Sequence, residues 1–464
     1  MSWFSDLFSF GKTPARTFQQ DAEAAASEAA VEETNTQDAP ASWAAPSVAA
    51  NTVAPNIVAD VFTPVAPETE EIVRTSPLES ARKRQRVSLA FDVSQPVSSR
   101  DALRGRDSKL TALLSGTLYG GNHAFIYGPR GSGKTSLARV FGDYADEEGA
   151  VVLYMASIGS ITFSELMLPY VDQIPATCFD PRDRQLLDDA IDQARQNCNA
   201  RNLVNYLAEI KYSRVIFILD EFDRIENMET RSEVASLLKL SSDARLPVSF
   251  LLVGIASDVP ALIDAHPSLR RHVTPVSIEP LTDDEVRTIL EHCASTSGLS
   301  FTQDAKTRIA DLACGSPYHA RLFGMHAACV ALDDNVATVT PAAVLGGIAA
   351  AFKEWNEFNT EDAELFKQLA DAEAGHPDSL AEFARKAAHR RGLDVSDIKE
   401  LVMSEAASGS VRDLSTAAAR LSSAITSEGD LVVFKDSLAP QFLLVALELT
   451  QAPQNVPSYA REQA

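Results

Sequence analysis

The sequence predicts an α/β fold built on a parallel sheet. Two observations carry this expectation: short apolar runs recur between helix-patterned segments, and a glycine-rich loop lies between one such run and a helix. The runs are His123–Tyr127, Val151–Met155, Val215–Leu219, Val248–Val253 and Val273–Ile278. Strands alternating with helices in this way imply right-handed crossovers between parallel neighbours. The α/β core is expected over residues 81–280.

With 464 residues, 45% of them apolar, the chain is long enough for two or three domains with real cores. Residues 1–12 crowd Trp3, Phe4, Leu7, Phe8 and Phe10, with Trp3/Leu7 and Phe4/Phe8 at helical i,i+4 spacing. Such a cluster needs a surface, on its own domain, on a protein partner or at a membrane. Residues 13–80 lack sustained periodicity, and residues 1–80 hold 12 acidic against 3 basic side chains, so a flexible, disordered tether is expected. Charge then reverses. Arg82, Lys83, Arg84, Arg86, Arg100, Arg104, Arg106 and Lys109 face only Asp92, Asp101 and Asp107 over residues 81–109, a candidate DNA contact.

Leu110, Leu113, Leu114 and Leu118 mark a helix before the first strand. Beyond Pro280 the pattern turns helical. Thr282-Asp283-Asp284-Glu285 is a capping box that opens one helix, and residues 302–312, 317–331 and 341–352 read as three more, a four-helix lid over 281–352. Residues 353–450 hold several helices, a short strand at 430–435 and a final helix near 441–449, a winged-helix-like arrangement, followed by a tail at 451–464.

The formal net charge of -23 opposes a generic nucleic-acid coat. Cys178, Cys198, Cys293, Cys314 and Cys329 are scattered, odd in number and never in a CxxC pair, which argues against a disulfide framework or a zinc site and for a reducing, cytoplasmic compartment. No run approaches the roughly 18 apolar residues of a membrane span.

The loop Gly128-Pro129-Arg130-Gly131-Ser132-Gly133-Lys134-Thr135, with Ser136 after it, is a P-loop. Its glycines let backbone N–H groups turn inward around phosphate oxygens, and the helix N-terminus that follows adds partial positive charge. Lys134 would neutralise the β- and γ-phosphates of ATP, and the Thr135 hydroxyl would ligate magnesium. The second half of such a site is an apolar strand ending in acid. Here 215–219 runs into Asp220 and Glu221, Asp220 to hold magnesium and Glu221 to polarise the hydrolytic water.

With these two motifs and the helical segment after them, residues from about 100 to 350 resemble AAA+ ATPases. They are most similar to the origin-recognition/initiator-like clade and related bacterial ATPases with a C-terminal winged helix. The resemblance implies that Leu103-Arg104-Gly105-Arg106 packs near adenine, and that Ser257, ending the fourth strand, contacts γ-phosphate or water as sensor 1. It also implies that Arg270 is an arginine finger offered to a neighbouring subunit, in a homo-oligomer or beside another AAA+ subunit. Tyr318 stands where sensor 2 is usually an arginine, and Arg321, one turn later, is the candidate replacement.

Lys134 and Asp220 are 86 positions apart, long for a minimal AAA+ core, so one or two additional helices are expected within 170–208. Arg385, Lys386, His389, Arg390 and Arg391 put cations on one short helix, a second candidate DNA contact, although residues 353–464 hold 19 acidic against 11 basic side chains. The expected activity is Mg-ATP hydrolysis at subunit interfaces that remodels or loads DNA or protein. The alternative is a slow, STAND-like signalling switch in which ATP binding frees the C-terminal domain.

Overall fold

The computed structural model describes residues 77–97, 99–157, 159–255, 267–372, 378–390, 393–394, 421–428 and 431–451, all within one unit, Ser76–Ala464. The N-terminal aromatic cluster, most of the expected tether, Ser257 and Arg391 lie outside the described residues.

Five strands form the parallel sheet: β1 (His123–Tyr127), β2 (Val151–Ala156), β3 (Val215–Asp220), β4 (Val248–Gly254) and β5 (Val273–Ser277), in the order β2-β3-β4-β1-β5. The apolar runs end where expected because both faces are covered: β3 and β4 are buried at every residue. Successive side chains point to opposite faces. Phe125, Phe217 and Phe250 thus join one apolar layer, and Ile126, Ile216 and Leu251 the other. Register aligns Tyr127 with Gly254 and Ser277, and Ala156 with Asp220, so the carboxyl ends of the strands finish along one edge. In open parallel sheets that edge is where ligands bind.

His123 is buried in β1. Its Nδ1 accepts from Phe250 N–H (3.1 Å), so Nε2 carries the proton and donates to Leu238 O (2.8 Å). Burial pushes its pKa down to about 4.

Helices α1 (Pro77–Phe91) and α2 (Asp107–Leu113) precede the sheet, and α3 (Lys134–Glu147) follows the glycine loop. Between β2 and β3 lie α4 (Phe163–Val171), α5 (Arg184–Gln196) and α6 (Ala200–Leu207), the last two being the expected extra helices; α7 (Met228–Asp243) leads to β4. The lid consists of α8 (Asp283–Ser297), α9 (Gln303–Ala313), α10 (Pro317–Asp333) and α11 (Pro341–Asn356), with β6 (Ser300–Phe301) paired to β7 (Thr338–Val339). The Thr282/Glu285 capping box is formed in full.

Helix α1 corrects one expectation, since its first residues fall within the segment read as tether. Val87 and Phe91, four residues apart, bury against the lid, and Phe91 comes so close that a Cβ on Gly324 would lie 2.6 Å from its ring. Two apolar residues in a run of charge give little periodic signal. The basic segment is accordingly divided among contacts: Arg84 pairs with Asp333, Arg100 with Glu147, Lys109 with Glu279 at 2.9 Å, and Arg106 is buried.

The C-terminal region comprises α12 (Thr360–Ala372), α13 (Asp378–His389), β8 (Leu393–Asp394), β9 (Ile425–Glu428), β10 (Leu431–Phe434) and α14 (Ala439–Gln451). It is mostly helical, with an antiparallel sheet in the order β8-β10-β9. One apolar core runs through it and the lid. Phe442 of α14 stacks on Trp355 of α11 at 4.6 Å, and the expected boundary at 352/353 falls inside α11.

Candidate functional site

At the carboxyl ends of β1 and β3 lies a cavity of about 390 Å³, within the usual size of a small-molecule site. It gathers residues 130–136 with Asp220 and Glu221, the two motifs that lie far apart in sequence. Its other wall is apolar, with Val93, Pro96, Val97, Leu103, Leu281 and Ile289. Gly128 and Pro129 face a neighbouring cavity between the loop and the C-terminal region.

The loop holds its shape through left-handed residues at Gly131 (φ 72°) and Gly133 (φ 90°), a region glycine enters without steric cost. Ser132 Oγ donates to Pro129 O (2.7 Å), and buried Arg106 donates to Ser132 O (3.1 Å) from behind. Burial lowers the Arg106 pKa, against the opposing fields of Glu285 and Glu279. Lys134 Nζ donates to Gly128 O (3.0 Å) and Pro129 O (2.9 Å). Burial lowers its pKa too, with Asp223 and then Asp220 pulling it back up. Ser136 Oγ accepts from Val97 N–H (3.0 Å), which ties the pre-sheet segment to the first turn of α3.

Asp220 is 4% exposed. Its Oδ1 accepts from the Glu221 N–H (2.9 Å) and its Oδ2 from the Tyr154 hydroxyl. Glu221 follows in the left-handed region (φ 55°), a conformation that costs a non-glycine residue on the order of 1 kcal/mol and turns the chain sharply out of β3. Its carboxylate meets Arg224 at 3.2 Å. Thr135 and Asp220 line the same cavity and offer hard oxygen donors, which suits magnesium. Among the described residues no group of three or more His, Cys, Asp or Glu could hold a metal alone. Magnesium tolerates such sparse protein ligation when phosphates and waters fill the remaining positions.

The remaining expected residues divide. Arg321 lines the cavity, yet it is buried and donates to Phe91 O (2.9 Å) and Ala102 O (3.1 Å), fastening the segment after α1 to the lid. Tyr318 also lines the cavity. Arg270 is exposed on the turn Pro267–Arg271, anchored by buried Leu269, and is not among the residues lining its own chain's cavity. Of the C-terminal cations, His389 and Arg390 border the second cavity, and Lys386 pairs with Glu382 at 3.4 Å.

Residues 102–253 match the AAA ATPase domain family. The chain carries an AAA ATPase domain. No curated protein matches it in sequence. Solved structures similar to it include the Walker-type ATPase PABY2304 of Pyrococcus abyssi (17% identity, 76% of this chain and 99% of that one, TM-score 0.46). Others are Cdc6p of Pyrobaculum aerophilum (17%, 78% and 98%, TM-score 0.42) and ORC2 of Aeropyrum pernix (15%, 78% and 97%, TM-score 0.40).

The ATPase domain also uses residues that sequence reading passed over. Asp223, three positions after Asp220, borders both cavities and acts on Lys134; a third acid so close to the pair was the available signal. Tyr154 gave no local signal, since it meets Asp220 only once β2 pairs with β3, and Arg139 of α3 comes to the site by lying over the Tyr154 ring. No helix among the described residues is long and apolar enough to cross a membrane.

Proposed function

We propose that the chain binds Mg-ATP in the 390 Å³ cavity and hydrolyses it at a subunit interface to remodel or load a macromolecular partner, DNA or protein. The observation that carries this reading is the convergence of Lys134, Thr135, Asp220 and Glu221 on one cavity. Lys134 exchanges its two carbonyl partners for phosphate oxygens, and the loop N–H groups close around the same charge. Thr135 and Asp220 would hold magnesium, which neutralises charge building between the β- and γ-phosphates. Glu221 accepts a proton from the water whose oxygen bonds to the γ-phosphorus, as the bond to the β-phosphate oxygen breaks and ADP and phosphate leave.

Arg270, exposed and away from its own cavity, is offered to a neighbour's γ-phosphate. The test is a mixing experiment. Glu221→Gln and Arg270→Ala variants are each expected to be slow, and together to regain turnover, because a site with intact Glu221 receives Arg270 from the other variant. Failure to recover, or full activity of Arg270→Ala alone, contradicts the interface reading.

One contact favours a switch as the second reading. Leu438 of the C-terminal region lies against the P-loop, 3.3 Å from where a Gly131 Cβ would stand, so a shift of the loop on binding phosphate would press on the C-terminal region. Under this reading ATP, compared with ADP, raises hydrogen exchange over residues 435–441, and turnover stays slow at every protein concentration.

A further inference from the structure

We infer that Tyr154 is a positioning residue that aims the Asp220 carboxylate at the magnesium position, a reading that rests on the Mg-ATP site proposed above. Tyr154 lies on β2 opposite Ile218 of β3, and its hydroxyl reaches diagonally to Asp220 Oδ2. Oδ1 is held separately by the Glu221 N–H at 2.9 Å. A carboxylate has about four acceptor positions across its two oxygens. With one donor fixed on each, rotation of the group is stopped and a lone pair remains on each oxygen for another partner. Asp220 is only 4% exposed and lines the cavity, so its remaining acceptor positions are turned toward that volume rather than to bulk solvent.

The phenol is itself seated. The Arg139 guanidinium lies 5.2 Å from the centre of the Tyr154 ring. Arg139 stands four residues after Thr135 on α3, so the two project from one face of the helix, one turn apart. Helix α3 therefore carries the metal-side hydroxyl and, one turn on, the cation that fixes the tyrosine. Thr135 and Asp220 are held relative to each other through Arg139 and Tyr154 as well as through the sheet.

Tyr154→Phe removes the hydroxyl and keeps the ring under Arg139. The probe is a fluorescent ATP analogue, titrated into full-length wild type and variant in EDTA and again across a magnesium series. The expected result is unchanged affinity in EDTA, with about tenfold more magnesium needed for half-maximal tightening, the usual loss when a partner of a metal ligand is removed. An unchanged magnesium curve overturns the inference. So does weaker binding in EDTA by the same factor as in magnesium, since that marks a merely structural role. If wild type itself shows no response to magnesium, the Mg-ATP reading fails, and this inference with it.

Discussion

The sheet edge and the lid both carry charged and polar side chains, and they use them in opposite ways. At the sheet edge Lys134, Asp220 and Glu221 line open volume. In the lid Arg321 turns onto the carbonyls of Phe91 and Ala102, and His319 packs among Ser316, Tyr318, Phe323 and Phe442. Charge at the edge is held by partners within the loop and strand ends beside the cavity, whereas Arg321, although it lines the same cavity, grips carbonyls more than 200 positions away and fastens α1 and the following segment in place. The lid and C-terminal region reach the loop by packing: Ser316 Oγ, Tyr318 Cβ and Leu438 Cδ2 all stand within 3.4 Å of where a Gly131 Cβ would be.

The largest expected effect breaks the sheet side. Lys134→Ala removes a half-buried cation facing phosphate, and ATP affinity should fall roughly 100-fold, in line with the 2–5 kcal/mol lost when a buried charge loses its partner. Calorimetric titration reads it, and because cavity water can replace Lys134 on the carbonyls of Gly128 and Pro129, the urea midpoint should fall less than for Arg321→Ala.

Arg321→Ala should show the reverse pattern. Two carbonyls lose charged donors, each bond contributing about 1.5–3 kcal/mol, so stability to urea falls by roughly 3 kcal/mol while ATP affinity changes less than tenfold. Affinity lost with stability intact would return Arg321 to the sensor role that the family resemblance implied.

Buried histidines give each region a pH marker. Burial lowers His123 of the sheet to about 4 and His319 of the lid to about 3, while the unfolded imidazole titrates near 6.5. Between these values the unfolded chain binds more protons. Their contribution to stability is therefore full above pH 6.5 and is lost as pH falls below it. At pH 5.5 the loss is about 1.4 kcal/mol for each histidine. In unfolding measurements at pH 7.5 and 5.5, His319→Gln should remove one such share and His123→Gln the other. An unchanged pH dependence in either variant contradicts the assignment for that region.

The smallest effect sharpens the contact between loop and C-terminal region. Gly131→Ala places a Cβ at φ 72° and 3.3 Å from Leu438, costing on the order of 1 kcal/mol in urea unfolding. Adding Leu438→Ala should relieve that contact and leave those with Ser316 and Tyr318 together with the backbone part.

What was legible in the sequence follows from what is local. β3 and β4 are buried at every residue and appeared as nearly continuous apolar runs, while the partly buried edge strands β2 and β5 were marked by Val151, Val152, Leu153, Val273 and Val276; the glycine loop and the Thr282/Glu285 box are contiguous. Tyr154 and Asp220, 66 positions apart, meet only once the strands pair. Arg321 was placed on the right helix by resemblance, but the atoms it grips belong to Phe91 and Ala102, more than 200 positions away. The shared core of lid and C-terminal region was equally hidden. Trp355 falls beyond the helix expected at 341–352 and Phe442 within the helix expected near 441–449, and their stacking joins the two segments.

Hydrolysis as proposed needs Glu221 to activate water at a site that binds Mg-ATP without its help. Glu221→Gln keeps size and one acceptor oxygen but removes the negative charge and with it the base, which contributes about 10²–10⁴-fold to rate. Phosphate release and ATP affinity measured side by side separate the two steps. The variant should bind Mg-ATP as tightly as wild type and release phosphate at least about 100-fold more slowly; equal phosphate release by the two proteins would place the base elsewhere.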